Sequence, residues 1–280
     1  MSRKFYVMAI TLVPVVVLMT FTFFLVSKQP TQAANWKTQY HVLPTVQLSG
    51  DTITITNFRD FRYSSDGNIA EARYRTAQFQ LSQLQGVWLG ISHFGSWGLA
   101  HALVSFQFGQ NQYLTVSIEA RLTEQQISYA PITGLFRNYT KFMALGSEQD
   151  IIGLRSHIRK EEVYLYPLQG SELQAKTLLL SYLRQAQSLN TKPEFYNTLF
   201  DNCLTGLLAE SKQYRGWWRW FDYRILLPGY ADQLLLQDGV ILDRGGVATT
   251  RTLAKINNTN SEIESKDFSR AIRPAPIRNP

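Results

Sequence analysis

Three residue types in this chain could together form a thiol catalytic site. Cys203 is the only cysteine, and it lies in Asp201-Asn202-Cys203-Leu204-Thr205, where a helix is predicted to begin. His101 and Glu119 lie upstream, on a predicted β-hairpin. A thiol, an imidazole and a carboxylate are the parts of a cysteine nucleophile, its general base and the group that orients the base. We therefore predict a triad of Cys203, His101 and Glu119, provided that the fold brings the three together.

The position of Cys203 favours reactivity. With Asp201 or Asn202 as the N-cap, the sulfur lies in the first helical turn, where backbone N–H groups and the helix dipole favour a thiolate. Asn202 could also donate to an oxyanion, although capping is the commoner role for asparagine there. The alternative for Cys203 is that of most free cysteines, a small buried apolar side chain.

The hairpin predicts how His101 and Glu119 meet. A loop of Gly109-Gln110-Asn111 places Phe108 opposite Gln112 and His101 opposite Glu119, with Asn111 suited to a left-handed backbone. Directly opposed Cβ atoms lie about 4.5–5.5 Å apart, so the carboxylate can reach the imidazole. A one-residue slip would send Glu119 to the other face. The alternative is a structural His–Glu pair on a half-exposed face.

The N-terminus predicts a membrane anchor over residues 1–30. Ser2-Arg3-Lys4 precedes an uncharged apolar run, Phe5–Val26, which as a helix spans roughly 33 Å against a bilayer core of about 30 Å. The basic N-terminus favours a cytoplasmic start and a body outside the inner membrane, in the periplasm, although Lys28 and Lys37 weaken that assignment. The alternative is a signal peptide cleaved near Thr31-Gln32-Ala33.

Composition excludes several functional classes. The net charge of +7 fits an anionic membrane surface. The sequence has no stripe of Lys and Arg interleaved with aromatic residues, so we predict no nucleic-acid partner. The sequence contains no G-x-S-x-G segment, so it does not favour a serine hydrolase. A metal site of His93, His101 and Glu119 has no H-E-x-x-H or close ligand pair to support it, so we predict no metal and no cofactor. A single cysteine allows no internal disulfide.

The chain organisation predicts one α+β domain. We expect a linker over 31–46, the catalytic domain over 47–250 and a disordered tail over 251–280. Strands precede helices in the domain, which is the α+β order. The predicted strands are Asp51–Asn57, Gly86–Ile91, the hairpin 99–120 and Val163–Tyr166; the predicted helices run from a Ser171 capping box to Leu189, onward from Cys203, and over Tyr230–Gln237.

Several segments, over about residues 47 to 245, resemble the Lnb-type periplasmic domain. They are Asn57-Phe58-Arg59-Asp60-Phe61-Arg62-Tyr63, Ala100–Phe106, Ser117–Arg121, Gly146-Ser147-Glu148-Gln149-Asp150 with Arg155, Phe195-Tyr196-Asn197-Thr198 leading to Asn202-Cys203, and Asp222–Asp232.

The resemblance implies a papain-like fold, circularly permuted relative to the NlpC-type enzymes, with the histidine strand before the cysteine helix. Lecithin-retinol acyltransferase is similar in this order. The resemblance also implies Cys203 as nucleophile, His101 as base and Glu119 as third member. Leu204 departs from the hydroxyl residue that many relatives have after the cysteine.

Further residues receive roles at the level of motif or composition. Tyr196, Arg121 and Asn202 are candidates for binding substrate or oxyanion. Glu148, Asp150 and Arg155, with Arg121, are expected to form a buried ion-pair network. Trp217, Trp218 and Trp220 lie in a basic aromatic segment that suits a membrane interface, with core packing as the alternative.

Members of the family named Lnb transfer an acyl chain within a bacterial lipoprotein. The resemblance therefore implies that Cys203 takes the sn-2 acyl chain of a diacylglyceryl-modified lipoprotein and passes it to the α-amine of the lipoprotein's N-terminal cysteine. Its partners would be diacylglyceryl lipoproteins and membrane lipid. The rival functions are a thiol peptidase or amidase acting on cell-wall peptide, and a non-catalytic envelope scaffold. The sequence leaves the oligomeric state open.

Overall fold

A computed structural model describes residues 3–95, 98–109, 111–201, 203–210, 220–257 and 262–273; for residues 3–12, Phe21 and Glu210 it describes the backbone only. Asn202, Trp217 and Trp218 therefore lie outside the described residues.

The described strands form a large sheet and a two-stranded ribbon. The strands are β1 Thr45–Ser49, β2 Thr52–Arg59, β3 Arg62–Tyr63, β4 Ile69–Glu71, β5 Tyr74–Gln80, β6 Leu84–His93, β7 Ala100–Phe108, β8 Gln112–Arg121, β9 Thr140–Gly146 and β10 Glu162–Pro167. The eight-stranded sheet has the order β1-β2-β9-β8-β7-β6-β10, with β5 also paired to β2. Adjacent strands in this sheet are antiparallel except β2 and β9, which pair in parallel at Arg59 and Gly146. The ribbon consists of β3 and β4.

The helices mostly follow the strands. They are α1 Arg3–Ser27, a π-helix Gln149–Ile158, α2 Glu172–Leu189, α3 Cys203–Glu210, α4 Tyr223–Leu226, α5 Ala231–Gln237, α6 Gly246–Ala254 and α7 Phe268–Ala271. The predicted α+β class is confirmed.

Within the part of the chain that the structure describes, no helix is both long enough and apolar enough to cross a membrane.

The sheet is buried on both of its faces, and each face packs against a separate hydrophobic core. Val104, Val116 and Ile118 point to the face covered by α2 and α3 and join the larger core. Leu103 points to the other face and joins the smaller core, with Ile151 of the π-helix among its members. Successive side chains of a strand alternate between faces, so β7 contributes to both cores, whereas β8 gives apolar residues to the larger core and polar residues such as Ser117 and Glu119 to the other face.

Two local signals position α2 and α3. The Ser171 capping box is present: Ser171 Oγ accepts from the Gln174 backbone N–H (3.2 Å), and Gln174 Oε1 accepts from the Ser171 N–H (2.8 Å). The Tyr182 hydroxyl of α2 donates to the Cys203 carbonyl (2.6 Å). A Cβ at Gly206 would lie 2.8 Å from the Tyr182 ring, so glycine permits this close approach. The start of α3 is thereby fixed against α2.

The segment 31–46, expected to be a linker, packs on the domain. Trp36 is buried and forms a β-bridge with Thr123, and the Arg121 guanidinium lies 4.3 Å from the Trp36 ring centroid. Burial of a large aromatic side chain helps to hold the segment on the domain, and the absence of hydrophobic periodicity does not reveal this contact.

The expected disordered tail also differs in the structure. Residues 251–257 and 262–273 are described, and Phe268 and Ile272 are fully buried in the smaller core. Arg273 forms an ion pair with Glu148 (2.7 Å), a carboxylate with no exposed surface, and its guanidinium lies 3.8 Å from the centroid of the Tyr113 ring. The polar composition conceals these anchoring residues.

We predict that Arg273→Ala lowers the free energy of unfolding by about 3–5 kcal/mol, because Glu148 is left as a buried charge without its cation. The control is Arg270→Ala in α7, three residues before Arg273; its pair with Asp267 is exposed, and its loss should cost under about 1 kcal/mol. Urea unfolding followed by circular dichroism measures both. Equal stability of the two variants would show that the tail is not anchored by this pair.

Candidate active site

The β7–β8 hairpin has the predicted register in its outer half. Cα pairs run from Phe108–Gln112 to Val104–Val116. Gly109 at the start of the loop is left-handed, with φ 50°, and Gln110, which precedes Asn111, lies outside the described residues. Glycine adopts this conformation without a steric cost.

Beyond Val104–Val116, the described residues of β7 and β8 no longer pair with each other. Both strands continue, β7 to Ala100 along β6 and β8 to Arg121 along β9. The two strands therefore diverge and leave a gap between them, called here the strand gap. His101 and Glu119 do not form the ladder pair that the hairpin predicts, because each strand follows its other neighbour.

A serine bridges the strand gap and connects His101 to Glu119. Ser117 Oγ lies 2.7 Å from His101 Nε2 and donates to Glu119 Oε1 at 2.7 Å. A serine hydroxyl has one proton, and because this proton goes to the carboxylate, the hydroxyl accepts from Nε2–H. The lone pair of the imidazole is then on Nδ1. His101 and Glu119 are therefore connected indirectly, through a residue to which sequence reasoning gave no role, and not by the direct contact that was predicted.

Arg155 of the π-helix completes this relay. Its Nη2 lies 3.2 Å from Glu119 Oε1, and both side chains are buried. Burial raises the pKa of Glu119, but the positive charges of Arg155 and Arg59 outweigh it and hold the pKa at about 2. Glu119 is therefore ionised at neutral pH. The predicted ion pairing of Arg155 is present, and its partner is the proposed third member of the triad.

The same environment keeps His101 neutral. Burial lowers its pKa, Arg155 lowers it further, and Glu119 only partly opposes them, so that the pKa is about 3. A neutral imidazole can accept a proton at Nδ1, as a general base must. The low pKa also means that protonating His101 costs free energy as long as the ring stays buried in this environment.

Cys203 occupies the strand gap from the other side. It is the first described residue of α3 and has no exposed surface. The thiol donates to the Val116 carbonyl oxygen at 3.4 Å. Val116 belongs to the last pair of the β7–β8 ladder. The sulfur thus lies against backbone groups at the point where the two strands separate.

The expected thiolate is not present in this state. Burial raises the pKa of the Cys203 thiol to about 12, although backbone hydrogen bonds from Ile118 and Val104 lower it. These hydrogen bonds come from strand residues and not from the helix start, and desolvation of the charged sulfur outweighs them. The resting thiol is protonated at neutral pH.

The thiol and the imidazole approach the gap from opposite faces of the sheet. Cys203 packs with the larger core beside Val116 and Ile118, whereas Ser117 and Glu119 alternate to the other face. Among the described residues, no hydrogen bond joins Cys203 to His101. The structure therefore assembles His101, Ser117, Glu119 and Arg155, and places Cys203 at the same gap without a direct bond to them.

Tyr196 and Trp220 are the other described candidates near Cys203. Tyr196 is buried, and burial, together with the neighbouring Tyr129, Asp201 and Cys203, raises its pKa well above the usual range. It is therefore a neutral phenol close to the sulfur. Trp220 is half-buried, packs on the larger core and lines a cavity of about 340 Å³ beside α3. Its contacts are those of core packing, the alternative to a membrane role.

Glu148, Asp150 and Arg121 belong to separate buried clusters. Glu148 accepts from Ser105 (2.5 Å) and Arg273. Asp150 accepts from Arg59 Nε (2.9 Å), the Phe61 backbone N–H (3.0 Å) and the Tyr63 hydroxyl (2.8 Å). Arg121 donates to the carbonyls of Tyr40 and His41 and to Gln32 Oε1. The sequence predicted one buried ion-pair network, whereas the structure has several separate clusters. Each cluster connects loops to the sheet.

The described residues contain no group of three or more His, Cys, Asp and Glu side chains that could hold a metal ion.

Comparison with known families identifies the chain at family level. The model of the Lnb N-terminal periplasmic domain matches residues 70–229. The match covers more than half of the 280 residues, so the chain belongs to the Lnb N-terminal periplasmic domain family. Comparison with the curated proteins and with the solved structures finds no match. The papain-like arrangement stays a prediction.

We predict that native Cys203 reacts slowly with iodoacetamide at pH 7.5 and that the rate rises about tenfold per pH unit toward pH 10. A pKa of about 12 leaves roughly a thousandfold less thiolate than an ordinary cysteine has. Mass spectrometry of the intact protein measures the rate directly, because Cys203 is the only cysteine. Protein unfolded in urea is the control and should react at the ordinary rate. Rapid labelling of the native protein at pH 7 would contradict the buried, protonated thiol.

Proposed function

We propose that this periplasmic-family protein is a cysteine-dependent acyltransferase. It would move the sn-2 acyl chain of a diacylglyceryl-modified lipoprotein to the α-amine of the lipoprotein's N-terminal cysteine, through a thioester on Cys203. The product would be an N-acylated lyso-form lipoprotein. The family match supports a lipoprotein-related role, and the acyl-transfer chemistry is our inference from the site.

One observation carries the proposal: a cysteine at a helix start and a histidine–serine–glutamate relay meet at the same strand gap. Sγ of Cys203 lies against Val116, and the neighbouring Ser117 holds His101 Nε2. The tautomer that this relay favours has Nδ1 ready to accept a proton. A thiol, a base and an orienting carboxylate are the components that nucleophilic acyl transfer requires.

The proposed steps balance in protons and bonds. The Cys203 thiol proton passes to His101 Nδ1 as sulfur attacks the sn-2 ester carbonyl. The tetrahedral intermediate breaks its bond to the glyceryl oxygen, which takes the proton from His101 and leaves as a hydroxyl. The α-amine then attacks the thioester and loses a proton to His101, and the proton returns to sulfur as the amide forms. Substrate binding would have to move the thiol past the strand gap toward the imidazole.

The cavity beside α3 supports an acyl substrate. It has a volume of about 340 Å³, and Ile118, Phe200 and Trp220 contribute apolar surface to it. Thr205 and Gly206 place it on the first turns of the helix that begins with Cys203. A pocket of this size, close to the lower end of the usual range of about 300–1,000 Å³, suits part of a hydrocarbon chain.

A non-catalytic envelope scaffold is the second candidate function. It is favoured by the complete burial of Cys203 and by the bond from its thiol to a backbone carbonyl. In that case the sulfur would only satisfy backbone groups left by the diverging strands, as free cysteines in cores commonly do.

We predict that Cys203→Ala abolishes the N-acyl lyso product in cells that depend on this protein, because no thioester can form. Mass spectrometry of a lipoprotein's N-terminal peptide measures it. Undiminished product from Cys203→Ala would refute the assigned nucleophile, and absence of the product with the wild-type protein would favour the scaffold.

A matched pair of serine variants separates chemistry from stability. Ser117→Ala removes the relay between His101 and Glu119, and we expect a loss of about tenfold to a hundredfold in rate. Ser105→Ala on β7 removes a similar buried serine–glutamate bond, to Glu148, outside the relay. The two variants should be similarly destabilised, and equal rates in both would remove the relay from the mechanism.

We further propose that residues 1–30 hold the protein at the inner membrane with its catalytic domain in the periplasm. The support is an uncharged apolar run in α1, whose described side chains include the exposed Val16, Phe23 and Val26. Alkaline extraction of membranes should leave the full chain in the pellet and release a variant that lacks residues 1–30. Release of both would contradict the anchor.

A further inference from the structure

A pocket with a strongly positive lining lies beside the end of α1, and Cys203, His101, Ser117 and Glu119 are not among its lining residues. Its volume is about 290 Å³, and Lys28, Arg121 and Arg137 contribute its charge. Trp36 and Phe195 contribute aromatic surface. None of the twelve described residues that line it is acidic. This basic pocket therefore suits an anion.

The cations are held in place while keeping N–H groups for a ligand. Lys28 Nζ donates to the Phe136 carbonyl (3.2 Å) and to Asn138 Oδ1 (2.8 Å), and an ammonium has three N–H groups. Arg137 Nη1 donates to the Leu25 carbonyl at 3.3 Å, which uses one of five N–H groups. The cations are positioned by neutral oxygens, so their charge is not neutralised by these bonds.

The backbone at Arg137 is held in an unusual conformation. Its φ is 54°, in the left-handed region that long side chains seldom adopt and that costs of order 1 kcal/mol or more. The guanidinium lies 5.6 Å from the Phe195 ring centroid. Strain of this kind is characteristic of residues whose direction serves binding.

The loop next to the basic pocket exposes large apolar side chains. In residues 127–136, called here the apolar loop, Ile127 is 94% and Ile132 is 74% exposed, and Leu135 and Phe136 are also exposed. The loop adjoins the exposed apolar surface of α1, because Lys28 and Arg137 join the two by the bonds described above. Apolar surface bordered by cations is the pattern of a surface that meets an anionic membrane.

We propose that the basic pocket binds the phosphate of an anionic membrane phospholipid while the apolar loop lies among the headgroups and the adjoining acyl chains. A membrane occupant accounts for both features, whereas a soluble anion accounts for the cations alone. This site is independent of Cys203, so it stands or falls separately from the acyl-transfer proposal.

The test is a titration of the full-length protein in a nonionic detergent with dioctanoyl phosphatidylglycerol, and separately with inorganic phosphate, by isothermal calorimetry. Lys28→Gln/Arg137→Gln should weaken binding of the lipid about tenfold or more. The control variant, Arg184→Gln/Arg270→Gln, removes the same charge from two exposed residues elsewhere and should bind the lipid as the wild type does. Circular dichroism confirms that all variants are folded.

A third variant distinguishes the sources of phosphate. Ile132→Ser should weaken lipid binding while leaving phosphate binding unchanged, because it alters only the apolar loop. Equal lipid affinity in the wild type and in Lys28→Gln/Arg137→Gln would overturn the site. Phosphate binding as tight as lipid binding, with no effect of Ile132→Ser, would overturn the membrane occupant and leave a site for a soluble anion.

Discussion

The end of the β7–β8 ladder at Val104–Val116 is the constraint on which the site depends. Each strand keeps its other neighbour, so a gap opens in the middle of a sheet that is buried on both faces. Buried backbone groups need hydrogen-bond partners, and the Cys203 thiol provides one for Val116. On the other face, Ser117 spans the gap to His101. One break in pairing thus brings the thiol and the relay to the same place.

The buried charges around the gap determine the resting protonation state. Arg155 keeps Glu119 ionised and, with burial, keeps His101 neutral. Burial keeps Cys203 protonated. In the resting site, therefore, the Cys203 thiol and the His101 imidazole are both neutral. This state differs from a preformed thiolate–imidazolium pair. Chemistry in such a site requires that substrate binding bring sulfur and imidazole together and stabilise the charge that develops.

The sequence predicted the features that local patterns control. Period-two alternation and loop length predicted the register of the outer half of the hairpin, the Ser171 capping box predicted α2, and the Asp-Asn pair before Cys203 predicted the start of α3. The divergence of β7 and β8 depends on their pairing with β6 and β9, which are distant in the chain, so the role of Ser117 could not be predicted. Burial of the thiol and packing of residues 262–273 are likewise tertiary effects, and a polar composition hid the few apolar residues that anchor that segment.

The titration of His101 tests the account most directly, because its pKa and tautomer both depend on the bridged strand gap. Nuclear magnetic resonance of protein labelled with ¹⁵N-histidine resolves the four histidines, and His101→Gln assigns the signal. We predict that the ring carries its single proton on Nε2 and stays uncharged down to about pH 4, since its pKa is about 3. A ring that titrates near pH 6.5, or that carries its proton on Nδ1, would contradict it.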